Sequence, residues 1–265
     1  MTRVHVTDLV KDYSLRSGLR RTRLRAVDHV SLDLVPGRTV ALVGESGSGK
    51  STIAKILTRM ERPTSGTVDV RLDDGTPVQG SLYRRQVQMV FQDPFASLNP
   101  FHSIEHHVAR PLRIHQRTRT AQETHERVLE LLERVNLTPA ETIAPRRPHE
   151  LSGGQRQRVA IARALAPGAQ VLVADEPVSM LDVSLRAGVL ALLEELRAET
   201  GVSLLYITHD LLSARVITDR IMVLHHGRVV ESGGTAQVLR FPEDEYTTRL
   251  LDAIPQPARR FGGVA

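Results

Sequence analysis

The spacing of hydrophobic positions changes several times along the chain, and each change predicts a new element. From Val4 to Val10 apolar and polar residues alternate, which predicts a strand with one buried face. Val27, Val30, Leu32 and Leu34 continue a strand-like pattern after an arginine-rich interruption. Val40 to Val43 is a short apolar run that leads into a glycine-rich segment, and Ser51 to Arg59 then reads as a helix. Pro63-Thr64-Ser65-Gly66 marks a turn, Thr67 to Leu72 a further strand, and Gln86 to Phe91 a buried strand ending at Gln92. From about Asp93 to Pro167 the pattern is helical. Val128, Leu129, Leu131, Leu132 and Val135 make one face of a helix over Ala121 to Val135. Pro145 and Pro148 break the pattern before a helix from roughly Gln155 to Leu165. Beyond it come a strand at Val171 to Ala174, a helix at Val183 to Glu199 and a strand at Ser203 to Ile207. Ile221 to Leu224 is expected to pair with Arg228 to Glu231 around His226-Gly227.

Strands alternating with helices predict an α/β fold with a mostly parallel sheet covered by helices. The N-terminal strands form an antiparallel β part, and the helical stretch is an inserted subdomain. The expected organisation is one domain: a core from residues 1–92 and 168–240, a helical subdomain at 93–167, and a C-terminal tail at 241–265. No internal repeat or low-complexity segment interrupts it.

Composition narrows the chemistry. Hydrophobic content of 41% and charged content of 25% over 265 residues suit a soluble globular protein. Aromatics are only 3%, with no Trp, so Val, Leu, Ile and Ala must build the core. With no Cys, these residues can form no disulfide and no thiolate-held zinc or iron–sulfur centre. The net charge of +5 would suit nucleic acid, anionic lipid or phosphate ligands. Most cations are scattered among 30 acids, but Arg16, Arg20, Arg21, Arg23 and Arg25 cluster. That cluster reads as a solvated loop or, more sharply, as a loop facing lipid or a partner. The N-terminal residues lack the apolar core of a signal peptide, and no run approaches the ~20 apolar residues of a membrane span. Any membrane role is therefore expected to come through partners.

The glycine-rich segment is Gly44-Glu45-Ser46-Gly47-Ser48-Gly49-Lys50-Ser51-Thr52, which fits the phosphate-binding P-loop pattern G-x-x-x-x-G-K-[ST]. Its glycines let the backbone approach phosphates, and the amides of the following helix start point at anions. Lys50 supplies positive charge to the β- and γ-phosphates of a nucleotide, and Ser51 a hydroxyl to Mg²⁺. Asp175 ends an apolar strand, where a carboxylate in an α/β sheet lies in the ligand crevice and can hold Mg²⁺ beside Ser51. Glu176, the adjacent acid, is the candidate general base for an attacking water. Taken alone, this acidic pair could simply be a strand end meeting solvent. Leu151-Ser152-Gly153-Gly154-Gln155 opens a helix, where Ser152 and two bare amides could hold an anion or merely cap the helix.

That pentapeptide, followed by Arg156-Gln157-Arg158, is the signature of ABC-type ATPases, and together with the P-loop it makes nearly the whole chain resemble an ABC ATPase. The resemblance implies further roles. Gln92 would contact the Mg²⁺ and water region and hinge the helical subdomain. His209, in Tyr206-Ile207-Thr208-His209-Asp210, would contact the γ-phosphate. Leu181 and Asp182 would form a loop crossing a dimer interface, with Met180 where the family usually has Ala. Tyr13 would stack on adenine, the plainer alternative being an ordinary tyrosine at a strand end. ATP and Mg²⁺ are the implied ligands. Each ATP would lie between the P-loop of one subunit and the signature of another.

Finer similarity to the oligopeptide, dipeptide and nickel importer group lies in Arg25-Ala26-Val27-Asp28-His29-Val30-Ser31, in Val90 to Pro100, in Asp175-Glu176-Pro177-Val178-Ser179, in the arginine-rich insertion and in Tyr246 to Pro255. It implies a peripheral subunit on the cytoplasmic face of the membrane. Its expected partners are a second, related ATPase, two transmembrane permeases and, indirectly, an extracytoplasmic solute-binding protein. No nucleic acid is expected. Longer members of the group carry cysteines that can hold an iron–sulfur cluster, and these residues have none. The alternatives are an ABC-type subunit of a soluble or phosphonate-processing enzyme complex and a nucleic-acid-associated ABC protein.

Overall fold

Two sheets carry the chain, and the larger one orders the candidate site. The computed structural model describes residues 1–17 and 20–254, with backbone alone over 15–17 and 20–21. In the smaller sheet, β1 (Thr2–Ser17) lies between β2 (Arg20–Leu34) and β4 (Ser65–Leu72), antiparallel to both. The larger sheet contains β3 (Thr39–Val43), β5 (Val87–Val90), β6 (Val171–Asp175), β7 (Ser203–Thr208), β8 (Arg220–His225) and β9 (Arg228–Gly234). Its order is β5-β6-β7-β3-β8-β9; only the last pair is antiparallel. Every residue of β3, β6 and β7 is buried, as parallel strands covered on both faces require.

Helices cover the larger sheet. On the nucleotide-loop side are α1 (Lys50–Leu57) and α2 (Gly80–Gln86). Between β5 and β6 come α3 (Pro94–Ser97), α4 (Ile104–Ile114), α5 (Ala121–Arg134), α6 (Ala140–Ile143) and α7 (Gly153–Leu165). Then follow α8 (Val183–Thr200), α9 (Leu211–Ile217), α10 (Thr235–Arg240) and α11 (Glu245–Asp252). Ser103, Thr120, Asp182, Asp210 and Asp244 each cap a helix by accepting a bond from a first-turn amide. One apolar cluster joins α4, α5 and α7 to β6, β7 and α8 through Val108, Leu132, Ile161, Leu172, Leu193 and Tyr206. A second lies between the two sheets and includes Val6, Val30, Leu42, Ile53 and Ile207.

Two sequence expectations change. The arginine-rich segment is not a loop along its described backbone: β1 and β2 continue as one long hairpin, pairing Tyr13 with Leu24, Ser14 with Arg23 and Ser17 with Arg20. Ladder hydrogen bonds need no apolar face, and Asp12 takes ion pairs from both Arg23 and Arg25, offsetting their repulsion. The side chains of Arg16, Arg20 and Arg21 lie outside the described residues. Gln86 also belongs to α2, so β5 starts at Val87. That short helix escapes an apolar-period reading because only Tyr83 and Gln86 are buried along it.

Candidate functional site

The site forms along the C-terminal edge of the parallel strands, where β3, β5, β6 and β7 end side by side. After β3, Gly44 to Gly49 turn over the start of α1. Two glycines there are dictated by close packing. A Cβ on Gly44 would stand 2.1 Å from the Leu224 carbonyl oxygen, and one on Gly49, at φ 108°, would stand 2.2 Å from that of Ala26. Ala26 belongs to β2, so the long hairpin passes directly over the loop. Glu45 and Ser46 are exposed, Ser48 is buried, and Thr52 sits in the first turn of α1.

Lys50 is 5% exposed. Its Nζ donates to the carbonyls of Gly44 at 2.7 Å and Glu45 at 2.8 Å. Burial lowers its pKa, and the nearby carboxylates of Glu176, Asp175 and Glu45 oppose that shift. Ser51 Oγ donates to Asp175 Oδ1 at 3.2 Å across from the end of β6. Burial pushes the Asp175 carboxyl above its usual range, the Ser51 bond pulls it down, and neighbouring Glu176 raises it again. A buried carboxylate beside a hydroxyl is a hard oxygen pair suited to Mg²⁺.

Glu176 takes a left-handed backbone, φ 46°, which turns the chain out of β6. Its amide donates to the Ile207 carbonyl at 2.9 Å, tying the corner to β7. Its carboxylate lies between two side chains from neighbouring strand ends. Gln92 Nε2 donates to Oε2 at 2.9 Å, and His209 Nδ1 stands 3.2 Å from Oε1. The strand order therefore brings together Gln92, Glu176 and His209, which are far apart in sequence.

Ser152 accepts from the Gln155 amide at 3.2 Å, and Gln155 Oε1 accepts from the Ser152 amide at 2.9 Å, a reciprocal cap on α7. Leu151 is buried, and Arg156 Nε donates to its carbonyl at 3.0 Å. A Cβ on Gly153 would meet Leu181, and one on Gly154 would meet Leu185 at 3.1 Å, so the signature packs on the segment that starts α8. Asp182 caps α8 and is held below the usual carboxylate range by the Leu185 amide and the Ser184 hydroxyl. Among the described residues, no hydrogen bond joins residues 151–155 to residues 44–52. Beside the signature, Met180 is 55% exposed and Val183 82% exposed. Tyr13 is half-buried on β1, with Lys11 Nζ 4.9 Å above its ring.

In the sequence Tyr246 stands out only as part of the tail motif. It is 5% exposed on α11, and its hydroxyl accepts the Glu45 amide at 3.0 Å. Its ring stacks on His225, with centroids 3.8 Å apart. Glu231 on β9 secures this helix start by accepting the Glu243 amide at 3.0 Å and the Asp244 amide at 3.1 Å. Only the exceptional burial of a tyrosine in a polar tail distinguishes this contact, and burial is invisible in sequence.

The family model described as ABC transporter matches residues 27–179. The chain is 44% identical over 265 residues to the glutathione import ATP-binding protein GsiA of Escherichia coli, covering 97% of this chain and 42% of that protein. It is 46% identical over 267 residues to the oligopeptide transport ATP-binding protein OppD of Mycobacterium tuberculosis, covering 97% and 43%. The chain thus spans about two-fifths of the length of these curated relatives. Among solved structures, the dimeric post-hydrolysis state of the ATP-binding cassette MJ0796 bound to ADP and Pi superposes with a TM-score of 0.73 at 33% identity. That match covers 88% of this chain and 98% of the other.

Proposed function

The chain belongs to the ABC transporter family of ATPases, and from that premise we propose that it couples MgATP hydrolysis, within an ATPase dimer, to import of peptides or a related solute. The observation that carries this reading is the convergence of Gln92, Glu176 and His209 beside the Ser51–Asp175 pair, at the mouth of a P-loop.

In this reading the P-loop amides and Lys50 hold the ATP phosphates, with Lys50 exchanging its loop carbonyls for phosphate oxygens. Ser51, Asp175 and Gln92 would hold Mg²⁺, which supplies charge neutralisation at the phosphates when bound. Glu176 accepts a proton from the attacking water, and the resulting hydroxide displaces ADP from the γ-phosphorus. His209 orients the Glu176 carboxylate and donates toward the γ-phosphate. Tyr13 stacks on adenine.

Ser152, Gly153, Gly154 and Gln155 serve the nucleotide of a second ATPase, and Leu181 and Asp182 border that interface. The exposed apolar Met180 and Val183 next to them support a partner surface there. Residues 93–167 act as the subdomain that meets a permease, with Gln92 linking it to the ATP site. Residues 1–92 and 168–240 form the nucleotide-binding core. The dimer works at the cytoplasmic face of the membrane, with two permeases and a solute-binding protein outside. Among the described residues, no helix is long and apolar enough to cross a membrane.

The test is Gln92→Ala in vesicles reconstituted with co-purified permeases. Solute-stimulated transport should fall more than ATP affinity. Equal losses in both would make Gln92 a plain nucleotide ligand. Purification with soluble enzyme subunits instead of permeases would replace the importer reading.

A further inference from the structure

At the opposite edge of the large sheet, where β5 and β6 begin, lies a pocket of about 350 Å³. Four arginines line it: Arg85 from α2, Arg117 from the turn after α4, and Arg127 and Arg134 from α5. Among the described residues, no carboxylate lines it. Arg127 pairs with Glu130 along its own helix, and Arg134 reaches Glu199 at 3.5 Å. Among the described residues, Arg85 and Arg117 have no ion pair.

Both unpaired guanidinium groups sit against the fold. Arg85 Nε is inaccessible to solvent and has no hydrogen-bond partner. A buried cationic donor without an acceptor is unfavourable, because its hydration is lost and nothing replaces it. The Arg117 guanidinium lies against the bare backbone of Gly168, φ 84°, close enough that a Cβ there would stand 3.2 Å from Cζ. The fork of N–H donors on arginine matches the oxygens of a phosphate, two at a time. Like charges gathered around one recess are stabilised by a counter-charge of several units inside it.

We propose that this pocket binds a small, multiply charged phosphate anion, separate from the nucleotide held at the P-loop. The recess suits a soluble phosphorylated compound of about pyrophosphate to mononucleotide size. β6 alone separates the two sites by roughly 17 Å, at about 3.3 Å per strand residue. Three of the arginines come from the helical stretch between β5 and β6, and Arg85 comes from the segment before β5. A bound anion would therefore brace these two parts against each other.

The test uses the whole chain saturated with MgADP, so that the P-loop is filled. Pyrophosphate is titrated calorimetrically at constant ionic strength and in excess magnesium. The expected result is one further site, weakened at least fivefold by Arg117→Ala, with MgADP affinity and thermal midpoint unchanged. Arg117 is exposed, so its truncation leaves the core intact; Arg85→Ala provides a second, independent loss. A smaller loss in Arg117→Ala overturns the proposal. So does a pyrophosphate site that disappears in Lys50→Ala, which would place it at the P-loop. Arg117-dependent binding to phosphatidylglycerol vesicles by a protein that ignores pyrophosphate would assign the pocket to a lipid headgroup and overturn the soluble ligand.

Discussion

Tyr246→Phe isolates one atom of the contact between α11 and the P-loop. The substitution keeps the ring, its stack on His225 and its burial, and removes only the oxygen that accepts the Glu45 amide. An intramolecular hydrogen bond of this kind contributes about 0.5–1.5 kcal/mol. Glu45 is exposed, so water can reach its amide, and the lower half of that range applies. The Gly44 carbonyl, in the same peptide plane as that amide, accepts from Lys50 at 2.7 Å, so this peptide plane positions the loop's only cation. A shift of ~1 kcal/mol carried to the phosphates corresponds to about a fivefold loss of MgATP affinity. The same energy would lower the thermal midpoint by roughly 2–4 °C in a protein of this size. The assay is calorimetric titration of MgATP into parent and variant, with thermal unfolding in parallel. The hydroxyl should also show itself as a raised KM with kcat nearly unchanged. A lowered midpoint with unchanged MgATP affinity would refute the reasoning and leave Tyr246 as a strut between α11 and β8.

Glu176→Gln should bind MgATP normally and lower single-turnover hydrolysis by roughly 10²–10⁴-fold, the range for loss of a positioned base; hydrolysis at the parental rate would remove Glu176 from that role. Ser152→Arg should leave ATP binding to the isolated chain intact and abolish hydrolysis in the assembled dimer, and equal loss of binding would mean the signature acts within its own chain. Burial lowers the His107 pKa below 6.5, the cations of Arg163, His106 and His102 add to that, and its bond to the Asn99 carbonyl partly opposes them. The unfolded chain then binds more protons than the folded one, so stability is full above about 6.5 and declines as pH falls through the lower folded value. Thermal midpoints between pH 7.5 and 5.5 should show the decline, and His107→Gln, which can still donate to Asn99, should reduce its slope; an unchanged slope would assign the effect elsewhere.

The large sheet was legible because its strands are short apolar runs, Val40 to Val43 and Val171 to Ala174, set between helices of clear period. The glycine-rich turn was legible because few sequences put lysine and serine directly after that spacing. Gln92, Glu176 and His209 could be named singly, but their meeting depends on the strand order β5-β6-β7, which no local pattern encodes. The long hairpin was hidden because its outer half is crowded with arginine in sequence, so the apolar signal thins while backbone pairing continues. The arginine pocket was hidden because Arg85 and Arg117 are separated by β5 and the helices α3 and α4. Its cations looked like part of a scattered surface charge.

The corner at Glu176 has a bearing on how this protein can be improved. A residue with a Cβ in the left-handed region costs about 1 kcal/mol relative to one that adopts it freely. That cost is carried by the folded chain and is absent from the unfolded one. Glycine at 176 would relieve it, and would also remove the carboxylate between Gln92 and His209. Under the proposed role of Glu176 as general base, a directed-evolution campaign scored on heat resistance alone would drift toward variants without that base at this one codon. Screening for heat resistance and turnover together would hold the codon fixed and send stabilising changes elsewhere.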